Sequence, residues 1–240
     1  LPTMDWTAAL IDMGRRAKAA GRQLAVMPAS AKNAVLLAIA DELQAREPAL
    51  LAANAKDLEG ARERGLNAAM LDRLRLNPLR IRELAKAVRE VAKLRDPVGQ
   101  VDYEKKLPTG LLLKKVRVPI GPIGIIYESR PNVTVESAVL CLKPGNPVLL
   151  RGGSEALHSN LALAEAMAAG GLRAGLPEGA VQVVPWTDRE AVKAMLRLKD
   201  YLSLIIPRGG ESLIEFVVEN ATVPVIKHYK GVCHIFVDRA

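Results

Sequence analysis

The stretch from Val118 to Ser154, VPIGPIGIIYESRPNVTVESAVLCLKPGNPVLLRGGS, constrains the fold of this chain more than any other. Apolar runs, helical spacing and turn residues follow one another there in the order of one βαβ unit. Ile123-Gly124-Ile125-Ile126-Tyr127 is a short continuous apolar run, the pattern of a strand buried on both faces of a parallel sheet. Pro131-Asn132 interrupts it, and a helix is expected to open near Thr134 with Val135, Ala138, Val139 and Leu142 along one face. Lys143-Pro144-Gly145-Asn146-Pro147 ends that helix with a cation in its last turn, and Val148-Leu149-Leu150 reads as the second strand. Arg151-Gly152-Gly153-Ser154 then forms a small-residue turn into another helix, a place where backbone N–H groups can meet a phosphate. No G-x-G-x-x-G accompanies it, and a Gly-Gly pair at a tight turn also serves packing alone.

The alternation continues. A helix over 155–174 leads through Gly175-Leu176-Pro177 to a strand over Val181–Val184, then come a helix over Asp188–Leu198 and a strand over Leu202–Ile206. Arg208-Gly209-Gly210 makes a second strand-to-helix turn, followed by a helix over Ser212–Asn220 and a short strand at Val225-Ile226. Four or five strands alternating with helices imply a parallel sheet with right-handed crossovers, a Rossmann-like α/β sandwich. Both Gly-Gly turns then lie at carboxyl ends of strands, where open α/β sheets bind their ligands. In such sheets an acidic residue after the second strand holds the adenine ribose of NAD, whereas an arginine accommodates the extra phosphate of NADP. Here Arg151 stands in that place, so NADP (NADPH) is the expected cofactor. The competing reading of Arg151 is a strand-end arginine standing in solvent.

Residues 1–97 read as a helical N-terminal segment. Leu1-Pro2-Thr3 is a capping lead-in to a helix carrying Trp6, Ala9, Leu10 and Met13 on one face, and Ser30 caps a second helix presenting Val35, Ile39 and Leu43. Glu47-Pro48 starts a third helix that stops at Gly65, and Asn77 caps another, with Pro78 at its first position. Nothing in this segment looks like chemistry. The arginines between Arg73 and Arg95 read as the wet face of the helices, with a basic contact to a partner as the alternative. Residues 98–118 change to alternation, with Leu111, Leu113, Val116 and Val118 set against Lys114, Lys115 and Arg117. This is expected to be a hairpin with one wet face, turning at Pro108-Thr109-Gly110. Its exposed edge makes a homo-oligomer the expectation. Residues 119–230 are the Rossmann-like region, and 231–240 begin a further unit.

Composition excludes several classes. No apolar run approaches the roughly 20 residues of a membrane span and no signal-peptide order is present, so a cytoplasmic protein is expected. Cys141 and Cys233 make no disulfide framework, and His158, His228 and His234 show no metal-ligand spacing, so no metal is expected. The net charge is +8, but basic and acidic residues interleave without aromatic stacking platforms, so no nucleic-acid partner is expected. Cys233 sits in a run that reads as a strand, with neighbouring His234 on the opposite face, and so makes a poor nucleophile. Cys141 reads as a small buried hydrophobe.

Several stretches carry a longer likeness: VRVPIGPIGIIYESRPNVTVESAVLCLKPGN from Val116 to Asn146, LLRGGSEA from Leu149 to Ala156, IIPRGGESLI from Ile205 to Ile214, GVCHIFVD from Gly231 to Asp238, and ANAKDL at Ala53 to Leu58. In these the chain resembles the gamma-glutamyl phosphate reductases (glutamate-5-semialdehyde dehydrogenases) of proline biosynthesis, within the aldehyde dehydrogenase superfamily. The resemblance covers essentially the whole chain. It implies a Rossmann-like sheet of the aldehyde dehydrogenase type and reduction of L-glutamyl 5-phosphate to the 5-semialdehyde with NADPH, releasing phosphate. A cysteine thiolate attacks the acyl carbon and the resulting thioester takes the hydride. Asn132 matches the asparagine that steadies the oxyanion. Arg151 and Ser154, with Gly152 and Gly153 between them, match the adenosine end of the cofactor site, and Arg208, Gly209 and Gly210 match its phosphate region. The glutamate that activates water in hydrolytic relatives falls on His228 or a neighbour, as befits a reductase that must not hydrolyse its thioester. The resemblance also implies glutamate 5-kinase as a partner. It puts the nucleophilic cysteine in a motif after Ala240, so these residues are expected to bind NADPH without reducing glutamyl phosphate alone. A non-catalytic nucleotide-binding module is the alternative.

Overall fold

In the computed structural model, which describes residues 6–128, 130–228 and 236, a parallel sheet is sandwiched between helices. The lead-in at Leu1 to Thr3, Ser129 and the reading of Cys233 and His234 on a strand lie outside the described residues. The chain opens with five helices: α1 (Trp6–Leu24), α2 (Ala29–Ala45), α3 (Glu47–Glu63), α4 (Ala68–Leu74) and α5 (Pro78–Lys93). An antiparallel ribbon follows, β1 (Val101–Lys106) and β2 (Leu112–Val116). Then come β3 (Ile123–Tyr127), α6 (Asn132–Leu142), β4 (Val148–Arg151), a 3₁₀ turn (Ser154–Ala156), α7 (Leu157–Arg173), β5 (Val181–Val183), α8 (Arg189–Leu196), β6 (Leu204–Arg208) and α9 (Glu211–Asn220).

The parallel sheet has the order β5-β4-β3-β6, and Val225 adds a parallel bridge to Ile205 beyond β6. The chain therefore steps outward from β3 through β4 to β5, then returns to the other side of β3. The four or five strands expected of the alternating pattern are present. Successive side chains of a strand point to opposite faces, and the core follows that rule. Ile123, Ile125, Tyr127, Val148, Leu150, Val183 and Leu204 join a cluster with α2, α5, α6 and α7. Ile126, Leu149 and Ile205 join Leu10, Met13, Met195 and Val217 under α1, α8 and α9. Each fully buried aliphatic chain contributes about 1.5–3 kcal/mol, and with few aromatics the two layers depend on many such contacts. Gly124 faces the second layer, where a Cβ would stand 2.8 Å from Met195 Cε; its absence lets α8 close on the sheet.

The helical leader is tied to the sheet by buried polar groups as well as apolar ones. Lys32 pairs with Asp96 at 2.5 Å, and Lys143 Nζ donates to Asn33 Oδ1 and to the Ala92 carbonyl, joining the ends of α2, α5 and α6. Burial holds the Lys143 pKa below the usual lysine range. Asn146 Oδ1 accepts from the N–H groups of Ile120 and Gly121 and so sets the entry into β3. The Lys-Pro-Gly-Asn run at the end of α6 is thus an internal clamp.

Three expectations need correction. The N-cap of α2 is Pro28, whose side chain accepts no capping hydrogen bond, and Ser30 lies inside the helix. Helix α6 opens at Asn132, because Pro131 already has αR dihedrals and continues into the first turn. The ribbon does turn at Gly110, whose φ is +88°, but it has no dry face: every residue of β1 and β2 is exposed, Val101, Tyr103, Leu112, Leu113 and Val116 among them. Alternation marks two faces, but burial of one requires a layer beneath it, which the described residues do not supply. Asn77 does cap α5, accepting from the Arg80 N–H.

Candidate cofactor-binding site

The order of the sheet singles out one place. The direction of winding reverses between β3 and β6, so the carboxyl ends of these neighbours open a crevice, the usual ligand position in open α/β sheets. Tyr127 pairs with Arg208 at this end, which puts Glu128 beside the turn Arg208-Gly209-Gly210. Arg151 and the turn Gly152-Gly153 lie one strand away, at the end of β4.

Both turns lead into helices, and a protein carboxylate meets each helix start. At α7 it is Asp57, from α3. Asp57 is buried and accepts from the His158 N–H at 3.1 Å, the Ser159 N–H at 2.7 Å and the Ser159 hydroxyl at 2.6 Å. Asn54, one turn earlier, donates to Ser159 Oγ and the Leu74 carbonyl and accepts from the Leu76 N–H. The Asn54-to-Asp57 stretch is therefore an N-cap delivered from a distant helix, a charge at the positive end of the α7 dipole. At α9 it is Glu128, whose Oε2 accepts from the Gly210 N–H at 2.9 Å. Glu128 and Gly210 are both exposed.

The glycines themselves differ as well. A Cβ on Gly152 would stand 2.1 Å from Asn160 Nδ2 and 3.1 Å from the Tyr127 ring, and one on Gly153 would stand 2.2 Å from Glu155 Oε1. Beneath Gly152 lies a buried relay. Tyr127 O–H donates to Thr134 Oγ1 at 2.6 Å, which donates to Asn160 Oδ1 at 2.8 Å. Burial raises the Tyr127 pKa strongly, so its phenol stays protonated as that donor. A Cβ on Gly209 would meet the Glu128 carboxylate at 2.4 Å, that is, the oxygen already bound there.

Arg151 does not stand free in solvent. Its Nη2 donates to the Thr187 carbonyl at 2.8 Å, and its Nε is buried without a hydrogen-bond partner among the described residues. Burial lowers its pKa from the usual guanidinium range, while the charges of Glu155 and Glu128 oppose that shift. Ser154 is exposed at the start of the 3₁₀ turn. An orphaned N–H on a cation at the end of β4 and a backbone N–H that binds a carboxylate oxygen at the end of β6 both suit an anionic, phosphate-bearing cofactor. Among the described residues no cluster of His, Cys, Asp and Glu suits a metal ion.

Asn132 is half-buried at the first position of α6, and its Nδ2 donates to Glu136 Oε1 at 2.9 Å. The β3–α6 loop thus brings Asn132 and Glu128 to the end of the central strand, while Gly152 and Gly153 belong to the packing beneath. Glu128 was not legible from the sequence, since an acid after a strand has no motif of its own; only the strand order brings it onto Gly210. Cys141 is the free cysteine among the described residues, buried in α6, and burial pushes its thiol up to about 12, which leaves no thiolate for chemistry.

Comparison with known proteins bears on the fold and the family. The family model described as "Aldehyde dehydrogenase family" matches residues 7–229. A gamma-glutamyl phosphate reductase of Nitratidesulfovibrio vulgaris (strain DP4) is 53% identical over 236 residues, covering 98% of this chain and 56% of the relative. The crystal structure of a gamma-glutamyl phosphate reductase from Thermotoga maritima superposes with a TM-score of 0.88 at 49% identity, covering 90% of this chain and 52% of that one. One from Saccharomyces cerevisiae gives a TM-score of 0.83 at 30% identity over 92% of this chain and 56% of that one. The chain spans about half the length of the curated relatives it matches.

Proposed function

From the premise that this chain belongs to the aldehyde dehydrogenase family, we propose that it supplies the cofactor-binding region for NADPH-dependent reduction of L-glutamyl 5-phosphate to L-glutamate 5-semialdehyde, with release of phosphate, in proline biosynthesis. The observation that carries the reading is the crevice at the reversal of the sheet, where the Gly210 N–H holds a carboxylate oxygen and Arg151 offers an orphaned Nε–H. The cofactor's phosphates take the Gly210 side, displacing Glu128, and the adenosine end lies by Arg151 and Ser154. Helix α7 does not offer these phosphates the His158 and Ser159 N–H groups of its first turn, because Asp57 already occupies them. Discrimination at the end of β4 therefore rests on the Arg151 side chain, and arginine's planar fork favours the phosphate of NADP over a bare ribose. A bound nicotinamide supplies the hydride. Asn132, at the end of β3, donates its amide to the developing oxyanion once it turns from Glu136.

An acyl phosphate is labile in water, so a glutamate 5-kinase that makes it is the partner this reading implies, with both working in the cytoplasm. The apolar side chains exposed on β1 and β2 supply a surface through which copies of the chain associate. Fluorescence titration tests the cofactor assignment: the chain is expected to bind NADPH more tightly than NADH, and Arg151→Glu to abolish that preference. Equal dissociation constants for the two cofactors in both proteins would overturn it. Asn132→Ala, placed in a polypeptide that carries these residues and turns over glutamate 5-semialdehyde with phosphate and NADP, is expected to lose about 10²–10³ in turnover. Unchanged turnover removes Asn132 from the site.

A further inference from the structure

The buried relay joins three elements. Tyr127 is the last residue of β3, Thr134 lies in the first turn of α6 and Asn160 in the first turn of α7, and all three are buried. Thr134 is the hub, accepting from Tyr127 at 2.6 Å and donating to Asn160 at 2.8 Å. The turn it belongs to has no side-chain cap, because Pro131 supplies none, and closes on itself through the Val133 N–H to the Arg130 carbonyl and the Thr134 N–H to the Pro131 carbonyl, each at 3.1 Å. Val135 and Ala138 hold α6 to the core by apolar contact. Such contact scales with area and has no direction, so it keeps the helix on the sheet without fixing its rotation or its slide along its axis. A hydroxyl held on two sides is directional and fixes both.

Asn132 precedes Thr134 by two residues. At 3.6 residues per turn these positions lie about 200° apart around the helix, so while the Thr134 hydroxyl is locked into the core, Asn132 looks outward at the end of β3. The Asn132 amide bonds within its own helix, to Glu136, and its place in the crevice therefore follows that of the turn. Asn160 is the fixed point. It follows Ser159, whose N–H and hydroxyl are held by the buried Asp57, and it lies so close to Gly152 that a Cβ there would stand 2.1 Å from Asn160 Nδ2. The sealed turn after β4 is thus a reference point from which the opening of α6 is set.

We propose that Thr134 is a positioning residue for the reaction: its hydroxyl sets the first turn of α6, and with it the Asn132 amide, from the sealed end of α7. This inference rests on the reading of Asn132 as the oxyanion donor and adds what holds that donor in place. An oxyanion donor works only when aimed at the atom where charge develops, and a misplacement of about 1 Å costs about 10²-fold in rate. Loss of a buried hydroxyl that touches no substrate is therefore visible in turnover.

Thr134→Val replaces the hydroxyl with a methyl group of similar size. In the polypeptide used for Asn132→Ala, it is expected to lower kcat at least about tenfold with KM for NADP and for the semialdehyde unchanged, and Thr134→Ser to restore kcat to within about twofold of wild type. Combined with Asn132→Ala, Thr134→Val should cost nothing more, since a residue that acts through Asn132 then has nothing left to place. Val135→Ala thins the apolar packing of the same turn without touching the relay, so it should lower Tm while keeping turnover per folded molecule. Tyr127→Phe keeps the ring and removes one bond of the relay, and serves where Thr134→Val does not fold; about a threefold loss is expected, again absent beside Asn132→Ala. Full turnover in folded Thr134→Val or Tyr127→Phe, when Asn132→Ala has lost its own, overturns the inference. So does a loss from Thr134→Val that is equal with and without Asn132, or one that Val135→Ala matches. Full turnover in Asn132→Ala is a different failure: it removes the oxyanion assignment itself, and this inference with it.

Discussion

The two Arg-Gly-Gly turns look alike in sequence and are held in opposite ways. The one after β4 is pressed from below by Tyr127, Asn160 and Glu155, and the helix behind it is capped by a buried aspartate with several donors. The one after β6 is open to solvent, and its helix is met by a single exposed glutamate on one backbone N–H. A carboxylate sealed in the first place cannot give way to a phosphate, whereas one at the surface in the second can. The comparison teaches that a glycine turn at a strand end has room for an anionic ligand only when the charge already at its helix can leave. The position in the sheet agrees, since the open turn lies at the reversal of the strand order and the sealed one does not.

The sharpest way to break this contrast is at the sealed cap. Asp57→Ala leaves the His158 and Ser159 donors without their acceptor and is expected to cost about 3 kcal/mol. In a chain of this size that is a fall in Tm of roughly 6–12 °C, with NADPH affinity per folded molecule unchanged. A stable Asp57→Ala protein would mean that α7 does not depend on its distant cap. Next is Gly152→Ala, whose methyl would have to displace Asn160 and Tyr127 from their buried relay; overpacking of this kind costs about 1–3 kcal/mol. The matching change Gly209→Ala meets only the end of a flexible Glu128 and a Leu213 methyl, so its melt is expected to stay within about 1 kcal/mol of wild type. Melts that rank the two substitutions the other way would refute the assignment of packing to one turn and binding to the other.

Glu128→Gln sharpens the contrast from the open side. Removing the charge that competes for the Gly210 N–H should tighten NADPH severalfold while lowering stability by only about 0.3–1 kcal/mol, the worth of an acid at an exposed helix start. Weaker NADPH binding in that variant would show that Glu128 supports the cofactor instead of competing with it. The smallest effect is expected at the far end of α7, where Arg173 and Arg46 donate to Glu42 and hold its carboxyl below the usual glutamate range. Because the folded pKa is depressed, this contribution is whole above the unfolded glutamate pKa of about 4.3 and fades as pH falls through the lower folded value. Tm should therefore drop more steeply in acid for wild type than for Glu42→Gln, and parallel profiles would discount the link.

The strands of the parallel sheet and most helices were legible because continuous apolar runs, helical spacing and Gly or Pro punctuation report local physics: what a strand buried on two faces must bury, and where a backbone must turn. Asn77 before Pro78 and Gly110 in the ribbon are legible in the same way, each satisfying a requirement within a few residues. The short α4 is not legible, for its seven residues hold too little periodicity to stand out. Ser30 misleads because a good capping residue is common inside helices too, and the ribbon's alternation misleads because no pattern within a strand reports whether a second layer exists. Of the site, the residue types were legible: two glycine turns, an arginine after a strand, an asparagine opening a helix. Strand order, and with it the meeting of Glu128 and Gly210 and the cap that Asp57 extends to α7, was not. These groups lie dozens of residues apart, and what joins them is the closing of a sheet whose order depends on the sum of many buried contacts. Local sequence determined which elements form and where they turn; only the tertiary packing decided which of two identical-looking turns was left open.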